Sequence, residues 1–151
     1  MVNNSTSAPV QDLIRLHDQL NKDLHDLNSW LKEADEYGRP QFGQLGDRLL
    51  AIREIVARHF SEEEQGGYMA GPIAAAPHLA ERAAALLADH PRLLTEFDTL
   101  SAALSASPTT YACWGDARRD VQHVLDHLHA HEHRENELWQ EAFGADVTMV
   151  D

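Results

Sequence analysis

Four stretches of the chain carry apolar residues alternately three and four positions apart, the spacing that lines one face of an α-helix. The first stripe is Leu13, His17, Leu20, Leu24, Leu27, Leu31 and Ala34, and the second is Leu45, Leu49, Ile52, Val56, His59 and Glu63. The third runs Leu79, Ala83, Leu86, His90, Leu93, Phe97, Leu100, Leu104, and the fourth Val121, Val124, Leu128, His131, Glu135, Leu138, Ala142. Each stripe contains a histidine, and two also contain a glutamate. These six polar residues stand where leucines otherwise stand, so the register predicts that they face the core. Helices are expected at about 9–35, 43–65, 78–104 and 111–143.

Turn residues place the ends. Ser7 and Pro9 suit the start of the first helix, and Tyr37-Gly38-Arg39-Pro40 should stop it. Gly66-Gly67 can cap the second. A loop with Pro72 and Pro77 leads to the third, 105–110 forms the next break, and the fourth ends near Gly144. Pro91 removes a backbone donor and disfavours helical geometry at His90, so a kink or two shorter helices are expected there. Short connections make neighbouring helices antiparallel. The expected fold is therefore all-α, an up-down-up-down antiparallel four-helix bundle forming a single domain over 1–151. At ~1.5 Å rise per residue, the four histidines then lie within a slab of ~9 Å.

Four convergent imidazoles (His17, His59, His90, His131) and two carboxylates (Glu63, Glu135) match two first-row metal ions. Each pair, His59 with Glu63 and His131 with Glu135, is four residues apart and projects from one helical face. If both carboxylates bridge, each ion receives two nitrogens and two oxygens, and a shared oxide or hydroxide makes five. One position per ion is then open to a small molecule. The carboxylate share favours iron or manganese over tetrahedral zinc. A single ion, or a metal-free polar network, is the alternative. A third pair, His133 with Glu137, has the same spacing but falls on the solvated side.

Twenty-five acidic against twelve basic residues give a formal charge of −13, which argues against nucleic acid or an anionic membrane as partner and for a cationic ligand. The lone Cys113 excludes an intramolecular disulfide and is expected to be packed and inert. No secretory signal and no apolar run of ~20 residues is visible, which points to a cytoplasmic protein. The E-x-x-H signature of ferritin-like proteins is absent, and His131-Glu132 lacks the second histidine of an H-E-x-x-H zinc protease.

The chain resembles the hemerythrin-like, or HHE cation-binding, family over nearly its whole length. The matching motifs are Leu16-His17-Asp18-Gln19-Leu20, His59-Phe60-Ser61-Glu62-Glu63-Glu64, Asp89-His90-Pro91-Arg92-Leu93 and His131-Glu132-His133-Arg134-Glu135. The resemblance implies a non-haem di-iron centre, oxo- or hydroxo-bridged, that binds or reacts with dioxygen, nitric oxide or peroxide. Oxygen-carrying members typically place a second histidine one turn from the first on the third helix. Here Leu86 and Leu94 occupy those positions. His127, one turn before His131, is the best candidate for an additional ligand, ahead of His25 and His123, while His78 and His129 look solvated. The departure leaves open a carrier, a sensor, an oxidase or peroxidase-like enzyme, or an iron-responsive regulatory or storage protein. Tyr68 is expected to pack in its loop, or else to fold over the metal end as a hydrogen-bond donor or oxidisable group. Trp30, Trp114 and Trp139 are read as packing residues at helix boundaries.

Overall fold

Each stripe folds as a helix in a computed structural model that describes residues 8–37, 41–65 and 68–143. The long helices are α1 (Ala8–Tyr37), α2 (Phe42–Gln65), α4 (Ala80–Ser105) and α5 (Trp114–Phe143), with a short α3 (Ala70–Ala75) between the second and third. No strand occurs among the described residues. Ser7, the stop at 38–40, the glycine cap at 66–67 and Gly144 lie outside them, as does the side chain of Leu13.

The four long helices pack on one apolar core. Leu20, Leu27 and Leu31 of α1 meet Leu45, Leu49, Ile52 and Val56 of α2, Leu93, Phe97 and Leu104 of α4, and Val121, Val124 and Leu128 of α5. Burial of these side chains, roughly 1.5–3 kcal/mol each relative to exposure, drives the association. Every residue of the second and third stripes is buried. Helices α2 and α4 approach closely where Gly46 faces Leu104 and Ser105; a Cβ at Gly46 would lie 3.3 Å from the Leu104 Cβ and 2.5 Å from the Ser105 hydroxyl. The end of α1 meets the start of α5 through Asp35, which accepts from the Trp114 indole at 2.7 Å and from Arg118 at 3.1 Å. Arg82, early in α4, pairs with Glu141 near the end of α5. Trp30 packs edge-on against Trp114 in this same region, as a boundary aromatic.

Three expectations need correction. The Pro72–Pro77 segment is not all loop: it forms α3 and a 3₁₀ turn over Pro77–Leu79. Pro72 is the third residue of α3, where its missing N–H would have no intrahelical partner in any case. Met69, Leu79 and Ala76 anchor the segment against Leu138 and Trp139 in a second apolar cluster. Secondly, α4 is one continuous helix through Pro91 rather than two shorter ones; Leu86 before it and Leu93 and Phe97 after it are all buried, so both halves pack on the core. Thirdly, Cys113 is exposed, because α5 begins only at Trp114 and leaves the cysteine in the preceding loop. No described helix is long and apolar enough to cross a membrane.

Candidate metal centre

All six register residues are buried: His17 at 3 % exposure and His59, Glu63, His90, His131 and Glu135 at 0–1 %. They come from four helices, and Glu132 joins them at 6 %. Their donor atoms form two groups, each with every donor within 4.8 Å of the others: His17, His59, Glu132 and Glu135 in one, Glu63, His90, His131 and Glu135 in the second.

The two carboxylates expected to bridge each reach both groups. Glu63 places Oε1 2.6 Å from His59 Nε2 and Oε2 2.9 Å from His90 Nε2. Glu135 places Oε1 2.7 Å from His131 Nε2 and Oε2 3.7 Å from His59 Nε2. Glu132 belongs to one side only, with Oε2 3.3 Å from His17 Nδ1 and Oε1 3.4 Å from His59 Nε2.

Many of these contacts are close without being hydrogen bonds. His59 Nε2, His90 Nε2, both oxygens of Glu63 and of Glu132, and Glu135 Oε2 are buried and have no partner in hydrogen-bonding geometry among the described residues. Atoms aimed past one another at such range point at shared positions between them. Leaving them unsatisfied costs roughly 1–3 kcal/mol apiece, and more for charged groups. Cations at those positions would satisfy them together, so the donor set fits a metal centre.

Burial and mutual proximity shift the ionisation of the whole set. Burial, and then Glu135, raise the pKa of Glu63. Burial raises Glu132 well above its ordinary value, against the pull of His59. Burial opposes charge on His59, but the surrounding carboxylates, Glu132 and Glu63 first, outweigh it and raise its pKa. His90 behaves similarly, reaching about 10 through Glu135 and Glu63. Glu135 goes the other way despite burial, held below its ordinary value by its close neighbours, Glu63 first and then His131, His59 and His90. His17 falls to about 3, chiefly through burial and then the charge on His59. Protons are thus held where a metal would sit, and ions would displace them.

Outer contacts orient the imidazoles. His131 Nδ1 lies 3.1 Å from Asp89, whose carboxyl is held below its ordinary pKa because hydrogen bonds from His131 and His127 outweigh its burial. His90 Nδ1 lies 2.9 Å from Glu64. Phe60 stacks on His90, with centroids 3.8 Å apart and planes 4° apart, and walls the cluster on that side. His127 does not enter either donor group. Its Nε2 is 3.1 Å from Asp89 and its Nδ1 2.7 Å from Glu96, so both nitrogens are engaged in the outer layer. His25, His78, His123 and His129 are exposed, and the His133–Glu137 pair is an exposed contact of 3.2 Å.

Glu132, Asp89 and Glu64 escaped the sequence reading. Glu132 follows Leu125 by seven residues and precedes Trp139 by seven, and all three are buried. That second row, one position beside the main stripe, was the signal for it. Asp89 and Glu64 are identifiable only from contacts across helices. A surface groove of about 330 Å³ lined by Thr95, Glu96, Tyr111, Asp120 and His123 includes none of the clustered donors. Comparisons with protein-family models, with curated proteins and with solved structures each return no match.

Proposed function

We propose that this is a hemerythrin-like protein, an up-down-up-down antiparallel bundle that holds two non-haem iron ions and presents them to dioxygen, nitric oxide or peroxide for sensing, storage or scavenging. The pairing of α1's end with α5's start, of α2's start with α4's end and of α4's start with α5's end supports the topology. One observation carries the metal reading: Glu135 belongs to both donor groups, and Glu63 turns one oxygen to each side. Carboxylates placed so would be shared by two ions.

Bound there, two irons would supply Lewis acidity and one-electron redox capacity toward a small diatomic or peroxide. His17, His59 and Glu132 would hold one ion, His90 and His131 the other, with Glu63 and Glu135 between them. Asp89 and Glu64 would fix the ring orientation of His131 and His90, an outer arrangement that metal-binding histidines usually require. The His90–His131 side has the fewer donors and is the side for an incoming molecule. That same shortage favours a second reading, an oxidase or peroxide-consuming enzyme. Repeated turnover of peroxide with a reductant would select it over a carrier. The primary test is metal analysis after anaerobic iron loading, with absorption spectra before and after air. Two irons per chain and a new near-ultraviolet band are expected; fewer than two irons with no spectral change refutes the proposal.

A further inference from the structure

Tyr68 and Trp139 each bury a hydrogen-bond donor that has no acceptor among the described residues. Tyr68 is 2 % exposed and Trp139 8 %, and neither the Tyr68 hydroxyl nor the Trp139 indole nitrogen has a partner. Their rings stack at a centroid distance of 4.5 Å. Trp139 stands one helical turn after Glu135 on α5, which sets the pair against the end of the bundle where the donor groups lie. A phenylalanine would fill Tyr68's place in the apolar cluster with Met69, Leu79 and Leu138 without burying an idle hydroxyl.

The hydroxyl is also a committed donor. Burial and then the charges of Glu135, Glu63 and Glu132 push the Tyr68 pKa above its ordinary value, so the phenol keeps its proton. An indole N–H can only donate. Neither group is hydrogen-bonded to a carboxylate of the cluster, so both donors stay open to a bound molecule. We propose that Tyr68 and Trp139 are the binding residues for an exogenous small anion or diatomic, donating to its terminal nitrogen or oxygen when it occupies the metal centre. This rests on the dinuclear reading above. It assigns the 68–79 segment a role beyond covering the helix ends, since that segment carries the first of the two donors.

The test uses the full chain loaded with iron and azide as the probe, titrated by absorption. Tyr68→Phe should keep two irons per chain, should leave the metal-free melting temperature equal or higher, and should weaken azide binding about tenfold or more, the typical effect of losing a hydrogen bond to a charged group. Trp139→Phe should weaken azide in the same direction; where it unfolds the chain, Tyr68→Phe decides alone. Tyr111→Phe is the control, because that hydroxyl already donates to Asp120 at 2.7 Å. Azide affinity within twofold of the parent at full iron content overturns the assignment, as does loss of iron in Tyr68→Phe. A parent chain that never takes up two irons refutes the metal reading itself, which is a different result from an unaltered azide affinity.

Discussion

Replacing Glu132 with glutamine should act in opposite directions on the metal-free and metal-loaded protein. Glu132 is buried, with its oxygens 3.3 and 3.4 Å from His17 and His59. Burial raises its pKa well above the ordinary 4.5, and the charges of Glu135 and Glu63 add to the effect against that of His59. A carboxyl whose folded pKa is raised contributes stability that is complete below the unfolded pKa and lost as pH rises. Each pH unit above 4.5 over which Glu132 stays protonated when folded costs about 1.4 kcal/mol relative to the unfolded chain. Each such unit corresponds to roughly 3–6 °C in melting temperature for a chain of this size. Glutamine does not titrate, so the metal-free parent should lose stability relative to Glu132→Gln as pH rises above 4.5. Circular-dichroism melts of chelator-treated protein over a pH series measure it. With metal the sign reverses: the variant lacks a donor on the His17–His59 side and should bind the ion of that side about 10–100-fold less tightly or worse, no less than the loss of an outer partner typically brings. Parallel melting curves for the two metal-free proteins, or unchanged affinity for both ions, would refute the assignment of Glu132 as a buried donor awaiting a cation.

Glu63→Ala should abolish the loading of two ions, because Glu63 contacts a histidine of each group, whereas Glu137→Ala, at an exposed pair, should leave metal content unchanged. Asp89→Asn should keep the helical content but weaken metal binding about 10–100-fold in chelator competition, since Asp89 orients His131; Asp98→Asn, in an exposed pair with Arg53, should not. Phe97 is fully buried in the core, so Phe97→Ala should lower unfolding free energy by about 3–5 kcal/mol in urea titration.

The four helices and six of the seven clustered side chains were legible because they obey one rule, a polar residue standing in an apolar register. That rule separates His131 and Glu135 from His133 and Glu137 at identical spacing. It fails for Glu132 because α5 is buried over more than one stripe: α3 and its flanking residues cover Leu138 and Trp139, and Leu125, Glu132 and Trp139 make a second inward row. A short helix such as α3 has too few residues for periodicity to register. Its formation depends on the tertiary contacts of Met69 and Leu79 rather than on any local pattern. Asp89 gave no signal for the converse reason, since its partners His131, His127 and Arg134 all lie on another helix more than thirty-five positions away.

The residue that sequence reasoning missed also changes the meaning of the one that it found lacking. The absence of a histidine beside His90 raised the question of what replaces it, and His127 was the nearest candidate. In the fold His127 is held in the outer layer between Asp89 and Glu96, and the extra donor is Glu132, against His17 and His59. The gain and the loss therefore fall on opposite sides and do not cancel. One side acquires a third carboxylate and becomes richer in negative charge, which would favour the more oxidised or less exchangeable ion of the proposed pair. The His90–His131 side keeps two imidazoles and its shares of Glu63 and Glu135, with Phe60 stacked on one ring. Loaded with the two ions proposed above, such a centre would have one to hold and one to react, and an added ligand should then perturb the His90–His131 side alone.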